Sequence, residues 1–460
     1  NIKHKFPVYE KKPNLVFFDT AASALKVDVM IEATKNCYAY EYSNIHRGMY
    51  ELSANLSKKY EDSRITVSQF INSTSNQNII FTKNATEGIN LVSSCLSNNY
   101  FKDNDEIIIS YLEHHANIIP WHLSNKKINI VPVKINQFGE IDYEDLISKI
   151  NSKTKLISLT HMSNVTGTLI DFTRIKELRK KYNIPLLVDG CQYVPHKKLD
   201  IKDLDPDFYV FSAHKIYGPS GLGILYMKDK WIDSFPPYQG GGQMIHDVDI
   251  DKSTYADGYE KFEAGTPPIA PVIGFSSSID FMNEANPNEI YKHEMALHDY
   301  ALEKLQEIEG VRGNLDIIAV SVRSGKACIQ MLFVRDARVI GSKTFFPPLK
   351  LNADKEKVIE AFLPQFYLSG ANSIPGEIIL NASMENLELI TEVLTREAGR
   401  TVKLKSRVRN VRAKWLQLAE QTSISNLNTH IATRQSIQAR LSRLGELLNL
   451  DDSLQRIECF

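Results

Sequence analysis

Seven short apolar runs in the first two thirds of the sequence limit its fold more than any other feature. Each run has the length of a β-strand, and segments with helical periodicity separate several of them. Strands that alternate with helices favour a mostly parallel sheet with helices on both faces. Ligands of such sheets lie beside the carboxyl ends of the strands, so functional residues are expected there. The predicted strands cover residues 78–82, 106–110, 128–133, 156–160, 185–189, 208–212 and 223–226.

The charged residues change character near residue 312. Residues 1–312 contain 29 Lys, 5 Arg and 40 acidic residues, a net charge of −6. Residues 313–460 contain 8 Lys, 12 Arg and 15 acidic residues, a net charge of +5. This change indicates two domains, 1–312 and 313–460. The whole chain has 54 basic and 55 acidic residues, which argues against a uniformly basic protein that binds nucleic acid or a membrane surface.

The remaining composition is that of a soluble globular protein, with 43% apolar and 24% charged residues among 460. No apolar run approaches the roughly 20 residues of a membrane span, and the first ten residues contain no apolar signal core. We therefore expect no membrane association and a cytoplasmic location. The five cysteines form no CxxC pair, which indicates neither a disulfide framework nor a metal site. They are Cys37, Cys95, Cys191, Cys328 and Cys459.

Three polar groups follow predicted strands at the edge where ligands bind. Asp189 ends one strand, Lys215 follows another, and Thr86 lies at a turn from a strand into a helix. Each has an ordinary alternative: a helix-capping aspartate, a solvated lysine and a plain N-cap threonine. Together they offer a carboxylate for a pyridinium nitrogen, a lysine for an aldehyde and a phosphate site. Pyridoxal phosphate (PLP) needs this set of groups.

Nine short sequence motifs follow one another in residues 1–312, and their order is specific to one protein family. These residues resemble the group II, Suf-type cysteine desulfurases of the class V aminotransferase family. The resemblance implies the large domain of a fold type I PLP-dependent transferase, with a mostly parallel seven-stranded sheet and helices on both faces. The motifs are FDTAAS at 18–23, NIHRG at 44–48, NATEGIN at 84–90, EHHANIIPW at 113–121, MSNVTG at 162–167, VDGCQ at 188–192, SAHKIYGPSGLG at 212–223, GGGQMI at 240–245 and FEAGTP at 262–267.

The resemblance also implies a role for each candidate site residue. Lys215 would form the Schiff base with PLP and move the substrate α-proton, and His114 would stack on the ring and assist proton transfer. Asp189 would hold the pyridinium proton, Gln192 would hydrogen-bond the phenolic oxygen, and Asn164 would lie near that oxygen.

The phosphate of PLP would be bound by residues of two subunits. Within one subunit, the implied ligands are Thr86, Ser212 and His214. Thr266 would reach the phosphate of the neighbouring subunit, which implies a homodimer. His46 and Arg47 would line the substrate entrance.

Residues 313–460 lack what the desulfurase family places next. That family continues with a small domain that carries a nucleophilic cysteine on a loop and an arginine for the substrate carboxylate. Cys328 lies in a strand-like run, where a thiol is more often structural than catalytic. The complete family converts L-cysteine to L-alanine and an enzyme persulfide, which supplies a sulfur-acceptor protein for iron–sulfur clusters. We expect this activity to be impaired here.

The second segment has its own pattern of elements. Strands are predicted at 316–322, 327–334, 339–346, 377–381 and 401–405, with helices at 355–367, 385–398, 408–420 and 427–448 and a kink or stop at Pro364. Three antiparallel strands followed by α-β-α-β suggest an RNase H-like sheet with C-terminal helices.

This segment resembles an internal part of the C component of excinuclease ABC, a DNA-repair nuclease. We therefore interpret the chain as a chimera joined near residues 311–315. Arg407, Arg409 and Arg412 offer weak DNA binding as an alternative function, although a solvated helix face is the favoured interpretation. The runs that carry the resemblance are 317–320, 325–328, 338–343, 361–367, 375–378 and 456–460.

Overall fold

The computed structural model describes residues 2–136, 138–306, 314–335, 338–348, 354–369 and 373–447. Contacts within the chain define two compact units, Asn1–Met295 and Ala296–Phe460, called here the first and second units. The predicted domain boundary at 312/313 and the terminal run 456–460 lie outside the described residues. Within the described part of the chain, no helix has an apolar stretch long enough to cross a bilayer.

The first unit is built on a seven-stranded sheet. Its strand order is β1-β7-β6-β5-β4-β2-β3, and β7 alone runs antiparallel to its neighbours. The predicted mostly parallel seven-stranded sheet is therefore confirmed. The strands are β1 (Ile79–Thr82), β2 (Glu106–Ser110), β3 (Asn129–Val133), β4 (Thr154–Thr160), β5 (Leu186–Asp189), β6 (Phe208–Ser212) and β7 (Gly223–Met227).

Helices cover both faces of this sheet, and a short hairpin of β8 (Ile245–Val248) and β9 (Ser253–Tyr255) lies outside it. The helix that follows the motif at 44–48 begins at Glu51, and His46 within that motif has a left-handed φ of 65° that helical backbone excludes. The helices are α1 (Val8–Lys11), α2 (Asp28–Asn36), α3 (Glu51–Phe70), α4 (Ala85–Asn99), α5 (Ile119–His122), α6 (Tyr143–Lys149), α7 (Phe172–Tyr182), α8 (Ile201–Leu204), α9 (Asp229–Ser234) and α10 (Ile269–Ala285). A further helix, α11 (Pro287–Gln306), begins in the first unit and ends in the second.

The core of the first unit lies on both sides of the sheet. Successive residues of a strand point to opposite faces, and neighbours such as Leu187 and Val188 belong to two separate apolar clusters. Every residue of β5, β6 and β7 is buried, which explains why their sequences are continuous apolar runs. Polar functional groups of these three strands are consequently expected at the strand ends.

The second unit contains a mixed five-stranded sheet in the order β12-β11-β10-β13-β14. Strands β10, β11 and β12 are antiparallel, whereas β13 and β14 pair in parallel. The predicted succession of three antiparallel strands and α-β-α-β is confirmed. The elements are β10 (Leu315–Arg323), β11 (Lys326–Arg335), β12 (Arg338–Phe345), α12 (Lys355–Tyr367), β13 (Glu377–Leu380), α13 (Leu387–Ala398), β14 (Lys403–Lys405) and α14 (Asn410–Leu447).

Two helix boundaries in the second unit differ from the prediction. The helices predicted at 408–420 and 427–448 form one helix, α14, because the polar segment between them is held by tertiary contacts. Within it, the buried Ser423 hydroxyl donates to the carbonyl of Cys328 at 2.8 Å. Pro364 lies inside α12 without ending it, and its carbonyl accepts from the Leu368 amide at 2.9 Å.

Candidate active site

A cavity of about 540 Å³ opens at the carboxyl ends of the parallel strands of the first unit. Thr160, Asp189 and Ser212, the last residues of β4, β5 and β6, all line it. The cavity contains eight of the predicted site residues, which come from five separate segments of the chain. They are Thr86, His114, Asn164, Asp189, Gln192, Ser212, His214 and Lys215.

One wall of the cavity is the start of the 15-residue helix α4. Asn84 caps this helix by accepting from the Glu87 amide at 2.9 Å, and the Ala85 amide donates to the Ser212 hydroxyl at 2.9 Å. A Cβ on Gly223 would lie 2.3 Å from the Asn84 backbone, so a glycine is needed for β7 to approach so closely. Amides, hydroxyls and the helix dipole together make this wall suited to a phosphate.

A buried carboxylate also lines the cavity. Asp189 is 4% exposed, and its Oδ1 accepts from the Cys191 amide at 3.0 Å. A Cβ on Gly190 would lie 2.1 Å from the Tyr209 hydroxyl, so this turn is also packed against the core. A buried carboxylate requires a cationic or hydrogen-bonding partner, and a protonated ring nitrogen would supply both.

Lys215 lies in a turn, Ala213–Lys215, that directly follows β6. Two distant side chains hold the neighbouring His214: Ser23 Oγ lies 3.1 Å from its Nδ1, and Lys26 Nζ donates to its carbonyl at 2.9 Å. Burial lowers the pKa of Lys26 to about 8. Burial, followed by the charges of Lys215 and Lys26, also lowers the pKa of His214. Side chains near the start of the chain, Ser23 and Lys26, therefore hold the turn that carries Lys215 in place.

Ser23 and Lys26 were not predicted to be site residues. They precede His214 by 191 and 188 residues, and no local pattern links them to it. The one available signal was that Ser23 ends the FDTAAS motif at 18–23.

His114 caps the short turn His115–Asn117 and faces the cavity. Its Nδ1 accepts from the Ala116 amide at 3.1 Å, which leaves Nε2 to carry the proton of the neutral ring. Burial lowers the pKa of His114, with His115 and Lys215 acting in the same direction and Asp189 opposing them. Gln192 is anchored nearby, where its Nε2 donates to the Ala21 carbonyl at 2.8 Å.

Three predicted site residues lie outside this cavity in the first unit. Thr266 lines a separate cavity of about 290 Å³. His46 and Arg47 line another of about 210 Å³, together with the buried Arg64. The first unit does not by itself bring these three residues to Lys215.

Two cysteines bear on the chemistry. Cys191 lines the cavity, and burial, followed by the nearby Asp189 carboxylate, raises the pKa of its thiol well above the ordinary value. Cys328 is buried in β11 of the second unit, opposite Ser321 of β10, and burial raises its pKa as well. Neither has the lowered pKa of a reactive thiol.

Two family models match different parts of the chain. The family model of class V aminotransferases matches residues 16–324. The model of the UvrC ribonuclease H-like domain matches residues 314–430. The two matches meet and slightly overlap, as expected of the predicted chimera.

Individual relatives of the chain are desulfurases. A cysteine desulfurase of Wigglesworthia glossinidia brevipalpis is 39% identical over 318 residues, which cover 68% of this chain and 78% of the relative. A probable cysteine desulfurase of Mycolicibacterium paratuberculosis is also 39% identical, and the chain spans about half of its length, 46%. The crystal structure of the Escherichia coli cysteine desulfurase CsdA superposes with a TM-score of 0.62 at 32% identity, covering 72% of this chain and 81% of that one. The chain belongs to the class V aminotransferase family of PLP-dependent enzymes, among the relatives of the cysteine desulfurases.

Proposed function

We propose that the first unit binds PLP in the 540 Å³ cavity and accepts L-cysteine there, with impaired turnover to alanine and persulfide. One observation carries the proposal: a helix start, a buried carboxylate and a lysine, each suited to one part of the cofactor, face a single cavity. The donor set fits PLP because its phosphate and its ring nitrogen each meet a group of opposite charge or polarity.

Each side chain has a task that follows from its position. The start of α4, with Thr86 and Ser212, binds the phosphate, and Asp189 holds the proton of the ring nitrogen. Lys215 anchors the aldehyde carbon and moves the substrate α-proton, while His114 presents a proton at Nε2. Bound PLP supplies an electron sink for bond breaking at the α-carbon.

The same geometry supports impaired turnover. Sulfur transfer to the enzyme needs an accessible thiolate near the substrate. Among the described residues that line the cavity, the one thiol belongs to Cys191, whose raised pKa keeps it protonated. We infer that this chain still binds the substrate but transfers its sulfur inefficiently.

A second copy of the chain would complete the site. Several large apolar side chains near His46 and Arg47 are exposed, as expected of a surface that a partner covers. We therefore propose a homodimer in which Thr266, His46 and Arg47 serve the neighbouring cavity, in a cytoplasmic protein that would pass any sulfur to an acceptor protein. The exposed residues are Tyr38, Tyr40, Tyr42, Met49, Tyr50 and Leu52.

Alanine formation tests this function. The PLP-loaded chain and its Cys328→Ser variant are incubated with L-cysteine, and alanine, sulfide and the cofactor spectrum are followed. We expect cysteine to change the cofactor spectrum in both proteins, with slow and equal alanine release. Rapid alanine release that the Cys328→Ser variant abolishes would contradict the proposed impairment and the structural role of Cys328.

A second candidate function, weak DNA binding, belongs to the second unit. Residues 400–414 contain seven basic and no acidic residues. Arg407 and Arg409 are exposed, whereas Arg412 is paired with Glu377 at 3.1 Å. We propose that the exposed pair contacts phosphates, so duplex affinity should fall steeply between about 50 and 200 mM salt and weaken in Arg407→Ala/Arg409→Ala. Binding that is undetectable or independent of salt would remove this candidate.

A further inference from the structure

A partly buried hydrogen-bond network joins the turn that carries His114 to two strands of the sheet. Its centre is Glu113, whose Oε1 accepts from the Ser110 hydroxyl at 2.5 Å and whose Oε2 accepts from Asn117 Nδ2 at 2.7 Å. Ser110 is the last residue of β2, and Asn117 ends the turn after His114. One carboxyl group thus connects the strand end to Asn117, and the two bonded residues, Ser110 and Asn117, flank His114 in the sequence.

Asn117 passes this connection to β4. It is fully buried, and its Oδ1 accepts from the Ser158 hydroxyl at 2.6 Å. This bond fixes the orientation of the amide, so Asn117 Nδ2 has to face Glu113 and needs an acceptor there. The Asn117 main-chain amide donates to the carbonyl of His114 at 2.8 Å, so the amide and the histidine are held together.

We propose that Glu113 is a positioning residue that fixes the His114 imidazole in the cofactor cavity through Asn117. This inference rests on the proposed function for the role of His114, but the placement of the ring can be tested without cofactor. His114 itself is held through its Nδ1, which accepts from the Ala116 amide. If the turn loosens, that bond weakens and Nδ1 becomes free to take a proton.

The effect of the Glu113 charge can be distinguished from the effect of its hydrogen bonds by two substitutions. Asp189 is the charged group that faces it from β5, and His114 and His115 are its titratable neighbours in sequence. Glutamine at position 113 would keep an acceptor for Asn117 and turn its own amide toward the Ser110 oxygen. Glu113→Gln therefore removes the charge and reverses the Ser110 bond but keeps a hydrogen bond to both partners, whereas Glu113→Ala removes the charge and both hydrogen bonds.

The direct test is the titration of His114 in the cofactor-free chain. Histidine-labelled protein is followed by NMR, and the His114 signal is assigned by its loss in His114→Gln. We expect the midpoint to rise by roughly half a pH unit or more in Glu113→Ala, toward the ordinary histidine value, and not to rise in Glu113→Gln. Glu106→Ala, at the far end of β2, is the matched control and should leave the midpoint unchanged.

An unchanged His114 midpoint in a folded Glu113→Ala protein would overturn the inference. If circular dichroism shows that this variant does not fold, Ser110→Ala takes its place. We then expect a smaller shift of the His114 midpoint in the same direction, and an unchanged midpoint would contradict the inference.

PLP affinity then links the positioning to the cofactor. Glu113→Ala should weaken PLP binding about tenfold, an interaction energy of about 1.4 kcal/mol, and should have no additional effect in a His114→Ala background. Fully additive effects would contradict positioning through His114. Failure of the wild-type chain to bind PLP would refute the proposed function, and the NMR titration would still decide the role of Glu113.

Discussion

Replacement of Arg64 by methionine should destabilise the first unit by about 3–5 kcal/mol, the usual cost of removing one partner from a buried ion pair. The Arg64 side chain is fully buried, and it donates to both carboxylate oxygens of Glu263 at 2.8 and 2.9 Å. It also donates to Glu61 at 3.1 Å and to the Ile79 carbonyl at 2.7 Å. Methionine keeps the volume but removes the cation, so the largely buried Glu263 carboxylate would keep only neutral donors, the Phe81 amide at 2.7 Å and the Tyr60 hydroxyl at 3.4 Å.

Urea denaturation followed by tryptophan fluorescence measures this loss. Trp415 lies in the second unit, so a Trp415→Phe background leaves Trp121 and Trp231 to report on the first unit. We expect a lower midpoint at an unchanged slope. Lys58→Met is the matched control, because it removes an exposed ion pair with Asp62 on the same helix; the Lys58 side chain is 75% exposed. This variant should change stability by less than about 0.5 kcal/mol. A loss below about 1 kcal/mol in Arg64→Met would refute the argument.

Two further predictions concern the cavity. Gly223→Ala should lower both the melting temperature of the first unit and its PLP affinity, because the new Cβ would meet the Asn84 backbone at 2.3 Å. Gly240→Ala is the control: its Cβ would have open space, so this variant should behave like wild type in both assays. Burial raises the pKa of Glu113 from 4.5 to about 7, so the wild type should lose about 1–3 kcal/mol relative to Glu113→Gln as pH rises from about 4.5 to 7. Urea midpoints at about pH 5 and pH 8 measure this, and an equal difference at the two pH values would contradict it.

The strands of the first unit could be predicted well because burial on both faces leaves an unmistakable apolar run. The bounds predicted for β2 and β6 match those in the structure. The polar residues at strand ends could be placed together for the same reason, since parallel strands bring their carboxyl ends to one edge. Local pattern and one topological rule were sufficient for these features.

Contacts between distant segments could not be predicted in this way. The contact of Ser23 with His214 spans 191 residues and depends on how the chain returns across the sheet. The single helix α14 was predicted as two because its polar middle has weak helix propensity, and the contact from Ser423 to β11 was not visible in the sequence. Thr266 lies in a different cavity from Lys215 within the first unit, and its predicted role requires a second copy of the chain.

The visible absorption spectrum of the purified chain with PLP, recorded beside that of Lys215→Ala, tests the central claim most directly. We predict a visible absorption band of bound cofactor in the wild type that the Lys215→Ala variant lacks, because Lys215 is the cavity lysine that can anchor the aldehyde. The absence of the band from both proteins, or its persistence in the variant, would contradict the assignment of this cavity as a PLP site.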